Sequence, residues 1–208
     1  MTNTRRPLKS RDTALAARTA RWLAATRITP NQISAASVGF ALLAADAFWL
    51  SGGTNGFWLI VAALGVQLRL ACNLLDGMVA IEGGKKSPTG AFWNEAPDRL
   101  ADVLILVGMG LGAGNAALGW AAAAMAILTA YIRELGTSAG APPDFSGPMA
   151  KPHRMAAATG AALLALVGPW LGLGIAVLEW ALWIIAIGAG LTALRRCGRL
   201  ISWLRRNG

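Results

Sequence analysis

Apolar residues run along this chain in long blocks, broken by short clusters of glycine, proline and charge. Six blocks are long enough to predict helices that cross a bilayer, at 31–50, 55–81, 88–113, 116–137, 153–173 and 174–196. About 20 apolar residues span a hydrocarbon core. Ser51-Gly52-Gly53, Gly83-Gly84, Gly112 to Gly114 and Pro142-Pro143 punctuate the pattern, and Gly168-Pro169 with Gly172-Leu173-Gly174 divides the last two blocks. Before the first block, Leu15, Ala16, Trp22 and Leu23 alternate with Arg18 and Arg21. That spacing predicts an amphipathic helix on the membrane surface. Thr29-Pro30 has the form of an N-cap followed by proline at the first helical position. The expected fold is all-α and integral to the membrane, with six transmembrane helices and an N-terminal surface helix.

Composition supports this class. Of 208 residues, 55% are hydrophobic and 14% charged, with mean hydropathy +0.51. Soluble domains carry about a quarter charged residues. The first 27 residues hold no apolar stretch of the kind a cleavable signal peptide needs. The net charge of +9 is unevenly placed: seven basic residues precede residue 28, Lys85 and Lys86 follow the second block, and Arg133, Lys151 and Arg154 flank the link after the fourth. Five more close the chain: Arg195, Arg196, Arg199, Arg205 and Arg206. The alternate links have none. The positive-inside rule then places both termini in the cytoplasm of a bacterial inner membrane. The basic excess is topogenic, so nucleic acid is not an expected partner, whereas anionic lipid is. Residues 1–28 read as a basic cytoplasmic segment, 29–196 as the transmembrane domain and 197–208 as a basic cytoplasmic tail. Cys72 and Cys197 have no metal-ligand spacing and imply no disulfide.

Polar residues inside spans are costly and are read as functional by default. The second block holds Asn73 and Asp76, and the third holds Asn94, Asp98 and Asp102, spaced every four residues. Residues three or four apart share a helix face. Asp76 lies roughly 8 Å from its helix end, and Asn94 and Asp98 roughly 9 to 15 Å from theirs, at 1.5 Å per residue. Neighbouring antiparallel helices would bring the two pairs together. Such oxygen donors suit Mg²⁺ or Mn²⁺ rather than zinc. Gly77, Ala80 and Gly90 lack bulk on the same faces and would let a ligand or a facing backbone come close.

These residues carry a resemblance to the CDP-alcohol phosphotransferase family. The family pattern is D-x2-D-G-x2-A-R-x8-G-x3-D-x3-D. The chain reads Asn73-x2-Asp76-Gly77-x2-Ala80-Ile81-x8-Gly90-x3-Asn94-x3-Asp98. The spacing matches throughout, with Asp76, Gly77, Ala80, Gly90 and Asp98 identical. The resemblance implies transfer of a substituted phosphoryl group from a CDP-linked lipid, CDP-diacylglycerol, to a small or phosphorylated alcohol, with release of CMP. It implies Asp98 as general base, one or two Mg²⁺ or Mn²⁺ ions on Asn73, Asp76, Asn94 and Asp98, and a homodimer. Gly77, Ala80 and Gly90, with Lys85 and Lys86, would face the CDP donor. Arg133, Lys151 and Arg154 would meet an acceptor phosphate.

Three positions depart from the pattern: Asn73 and Asn94 replace carboxylates, and Ile81 replaces arginine. Asp102, one turn beyond Asp98, is expected to restore a ligand charge, and Glu95 is a second candidate. Two rival functions remain open at this level. One is a catalytically silent CDP-lipid-binding protein. The other is an ion-coupled transporter using Asp76, Asp98 and Asp102 as a pathway.

Overall fold

The computed structural model describes residues 13–52, 55–85, 87–173 and 176–207. Lys86 and the basic residues before Thr13 lie outside the described residues. Among the described residues seven α-helices follow one another: α1 (Ala14–Ala24), α2 (Pro30–Ser51), α3 (Gly56–Glu82), α4 (Gly90–Gly112), α5 (Ala116–Ser138), α6 (Lys151–Val167) and α7 (Ala176–Asn207). A 3-10 turn, Gly168–Leu171, closes α6. The helix starts are written locally. At α2 the Thr29 hydroxyl accepts from the Gln32 N–H at 3.2 Å, and the Gln32 amide oxygen accepts from the Thr29 N–H at 2.9 Å. This reciprocal pair satisfies two otherwise orphaned donors. Asn55 and Asn115 cap α3 and α5 through their side-chain oxygens.

Five helices, α2, α3, α5, α6 and α7, are long and apolar enough to cross a membrane. The helix α4 has comparable length, but Glu95, Asp98, Arg99 and Asp102 interrupt its first half. The remaining expected span, 88–113, coincides with this charged helix, which packs chiefly on α2 and α5 and exposes Phe92, Leu100 and Leu111. The expected end at residue 196 is passed, because α7 continues as a helix to Asn207. The predicted basic tail is therefore part of a helix. Its arginines stop the apolar run but are good helix formers.

The interior is built from small side chains. Ala41, Ala44, Ala47, Ala62, Ala122, Ala158 and Ala162 are fully buried, while Leu42, Leu64, Leu163, Trp183 and Ile187 point outward. Lipid offers no hydrophobic gain for burying leucine, so helices associate by close packing of small residues. The contact of α2 with α4 shows this most clearly. A Cβ on Gly112 would collide with the Phe48 carbonyl, and one on Gly108 with the Ala45 backbone. Gly112→Ala is expected to cost about 1–3 kcal/mol, as overpacking does, and to lower the melting temperature of the detergent-solubilised protein.

The surface helix α1 buries Ala16 and Ala20 against Ile33, Met78 and Val79. Leu15, Arg18, Arg21 and Trp22 remain exposed. The Lys85 ammonium donates to the Thr26 and Ile28 carbonyls at 2.6 and 3.0 Å. It thereby ties the α3–α4 link to the segment between α1 and α2.

The segment between α5 and α6 is strapped onto α7. The Met149 N–H donates to the Thr192 hydroxyl at 2.9 Å, and Arg196 Nε donates to the Ser146 carbonyl at 3.0 Å. Gly147, at φ +131°, passes so close to Thr192 that a side chain there would clash. Arg199 donates to Asp144 Oδ2 at 3.3 Å. Burial raises the Asp144 pKa, but hydrogen bonds from Ser146 and the Arg199 charge outweigh it and hold the carboxyl below its ordinary value. These ties fix where α6 begins.

Candidate active site

A cavity of about 880 Å³ opens where α3 and α5 end and α2, α4 and α6 begin. The two polar pairs, expected to converge from neighbouring helices, face each other across this cavity. Helices α3 and α4 each pack chiefly on α2, they touch each other only sparingly, and the cavity lies between them. Asn73, Asp76, Gly77, Ala80, Lys85, Gly90, Asn94 and Asp98 all line it. So do Arg133, Lys151 and Arg154. The motif residues and the basic cluster, far apart in sequence, therefore share one chamber.

Asp76 is positioned from two sides. Ser34 on α2 donates to its Oδ2 at 2.6 Å, and the Gly77 N–H donates to its Oδ1 at 2.5 Å. Asp98 is held more fully. Asn73 Nδ2 donates to its Oδ1 at 2.9 Å and Arg69 Nη2 at 3.2 Å, while the Lys151 ammonium pairs with its Oδ2. That ammonium also donates to Asn73 Oδ1 at 2.6 Å. Asn94 is exposed to the cavity, and its amide donates to Glu95 at 3.5 Å. A Cβ on Gly77 or on Gly90 would meet nothing within 4 Å, so both open onto free space rather than a facing backbone.

Asp102 does not join this set. It is completely buried away from the cavity, with Oδ1 facing Arg69 Nη2 at 3.4 Å and Oδ2 facing Arg154 Nη2 at 2.6 Å. Its single-turn offset from Asp98 is real, but it faces two guanidinium groups that the linear sequence does not place. Arg154 Nη1 also donates to the Thr129 hydroxyl and the Met149 carbonyl. Glu95 is likewise committed, to Arg99 at 3.1 Å and Arg133 at 2.5 Å. Arg133 also reaches Glu134 and lies over the Phe145 ring. Lys85 borders the cavity while its ammonium clamps the Thr26 and Ile28 carbonyls, so its expected contact with a donor must compete with that role.

Four further residues, not singled out by the sequence pattern, belong to the site. Ser34 orients Asp76, Arg69 bridges Asp98 and Asp102, and Thr129 and Arg196 line the far wall. For Arg69, its position inside an apolar span was a signal; Ser34 and Thr129 carried none. Among the described residues, no three His, Cys, Asp or Glu side chains group as a metal site. Among the described residues, the carboxylates lining the cavity are Asp76, Glu95, Asp98 and Glu134, and both glutamates pair with Arg133.

An all-helical, multi-pass membrane protein with carboxylates, amides and cations gathered in one terminal cleft is built to handle an anionic, phosphate-bearing ligand. The chain matches no protein-family model. It is 30% identical over 184 residues to the Escherichia coli inner membrane protein YnbA, covering 85% of this chain and 86% of that protein. It is 39% identical over 111 residues to the bifunctional IPC transferase and DIPP synthase of Rubrobacter xylanophilus. That match covers 52% of this chain but only 24% of the Rubrobacter protein. The phosphatidylinositol phosphate synthase of Streptomyces avermitilis is 28% identical over 177 residues, with 81% of this chain and 70% of that protein covered. The fold is shared with the Mycobacterium tuberculosis phosphatidylinositol phosphate synthase solved with CDP-DAG bound, at a TM-score of 0.74 and 18% identity over 90% of this chain and 94% of that one. Its complex with manganese and citrate gives a TM-score of 0.73 at 19% identity, covering 89% and 88%. The chain belongs to the CDP-alcohol phosphotransferase family.

Proposed function

We propose that this protein transfers the phosphatidyl group of CDP-diacylglycerol to an alcohol in a bacterial inner membrane, with both termini cytoplasmic, and releases CMP. The observation that carries this is the meeting of Asp76, Asn73, Asn94 and Asp98 with Lys151 and Arg133 in one cavity. Its size, about 880 Å³, lies within the usual range for ligand pockets. Gly77 and Gly90 leave the space that a donor diphosphate needs beside Asp76.

The donor set suits a hard divalent cation. Asn73 Oδ1 and Asp98 Oδ2 already converge on a positive group, the Lys151 ammonium. Asp76, Asp98 and the amide oxygens of Asn73 and Asn94 would hold Mg²⁺ or Mn²⁺, and Asp102, enclosed by arginines, would not. The bound ion would supply charge to the donor diphosphate. Asp98 is the group placed to take the acceptor's hydroxyl proton. The acceptor oxygen then bonds to the phosphatidyl phosphorus as the bond to CMP breaks. For Asp98 to act, the Lys151 ammonium must yield part of its hold on Oδ2. Arg133 offers an acceptor phosphate a guanidinium at the cavity wall, and Arg154 acts from behind it by fixing α6 on Asp102. The Streptomyces and Rubrobacter relatives are named as a phosphatidylinositol phosphate synthase and a DIPP synthase, which favours a phosphorylated acceptor.

Transport is less well supported. The cavity is lined from one end of the bundle. At the other end the notable polar contact is the Asn115–Glu179 hydrogen bond of 2.9 Å. CMP release by the purified protein, given CDP-diacylglycerol, Mn²⁺ and a panel of free and phosphorylated alcohols, tests the reading. Release that needs one alcohol is the expected result. Gly90→Leu should abolish it without lowering the melting temperature, because the new side chain enters the cavity alone. Donor binding with no release from any alcohol would turn the reading toward a silent CDP-lipid binder.

A further inference from the structure

We infer that this site takes a single divalent cation, because the Lys151 ammonium occupies a second cationic position as a built-in part of the protein. The inference rests on the transferase reading for the presence of an ion, but not for the count.

Lys151 is aimed from both sides. It is the first residue of α6, preceded by a segment pinned to α7 through Met149, Gly147 and Ser146. One turn later Arg154 is locked onto Asp102 at 2.6 Å. The ammonium is thereby delivered between Asn73 Oδ1 and Asp98 Oδ2. That is the environment a cation would seek, two converging oxygens from α3 and α4.

Asn73 is suited to this partner. Its amide oxygen accepts from Lys151 while its amide nitrogen donates to Asp98 Oδ1 at 2.9 Å. A carboxylate at 73 has no donor for Asp98 when ionised, and would repel it. The amide therefore fits a site in which lysine, rather than a second dication, neutralises Asp98. Charge points the same way. Two dications would bring +4 against Asp76, Asp98 and the donor diphosphate, with Lys151 and Arg69 already in contact with Asp98. Glu95 cannot help, being engaged by Arg99 and Arg133. One dication would then rest chiefly on Asp76 and Asn94, with Asn73 and Asp98 shared between the ion and Lys151.

The test is the ion count itself. Mn²⁺ is titrated into the full-length protein in detergent with CDP present, and free Mn²⁺ is followed by its EPR signal. One Mn²⁺ per wild-type chain is expected, and two in Asn73→Asp/Lys151→Met, which removes the built-in cation and restores a carboxylate. Two ions on the wild type, no ion at all, or one ion on the double variant would each overturn the inference. If the double variant does not fold, Lys151→Met alone should still bind one Mn²⁺, on the order of tenfold tighter, because a positive charge beside the ion has gone. Unchanged affinity would also overturn it. Failure of CMP release with every alcohol strikes the transferase reading and leaves a one-ion count standing. Two wild-type ions with normal release does the reverse.

Discussion

Asp98→Asn should lower CMP release from CDP-diacylglycerol by about a thousandfold, within the range that loss of a general base produces. The change is nearly isosteric, so the Arg69 and Asn73 contacts, at 3.2 and 2.9 Å, lose charge more than shape. Arg69 retains Asp102, so no buried guanidinium is stranded. The variant should thus purify and bind a CDP-lipid while failing in chemistry. Single-turnover CMP release beside a separate donor-binding measurement distinguishes the two effects. Residual release within tenfold of wild type would remove Asp98 from the base role and leave the proton to another group.

The second large effect is on stability. Asp102 and Arg154 form a pair whose side chains are each 1% exposed, and Arg69, at 0%, shares the same carboxylate. Removing one partner of a buried pair typically costs 3–5 kcal/mol, because the other charge is left uncompensated. Asp102→Asn leaves Arg154 with only the Thr129 hydroxyl and the Met149 carbonyl besides the new amide. For a chain of this size the loss corresponds to a fall of roughly 6–20 °C in melting temperature. Asp102→Leu/Arg154→Met, which removes both charges, should recover much of the loss, and a double-mutant cycle would report the coupling. If Asp102 were instead a metal ligand, Asp102→Asn would change Mn²⁺ affinity while sparing the melting temperature without metal.

The two variants probe one framework. Arg69 on α3, Asp102 on α4 and Arg154 on α6 meet behind the cavity, and Asp98 and Lys151 project from the same helices into it. Losing the rear anchor should therefore also loosen the front. Activity of Asp102→Asn is expected to fall even at temperatures where the protein stays folded.

Much of this protein was legible in the linear chain because lipid imposes a simple rule. A backbone crossing hydrocarbon must satisfy its own hydrogen bonds, so long apolar blocks become helices. One bound, at Thr29-Pro30, was written as a cap. The polar set Asn73, Asp76, Asn94 and Asp98 stood out because polar side chains in such blocks are costly, and helical spacing placed each pair on one face. What these residues face was not legible. The cavity between α3 and α4 exists because both pack on α2 through small side chains. The fate of Asp102 turned on Arg69 and Arg154, 33 and 52 residues away. Lys151 reaches Asp98 because a segment strapped to α7 sets where α6 starts. Periodicity along one helix determines which residues share its face. Only the packing of several helices decides which charges meet, since ion pairing depends on distances that sequence separation does not contain.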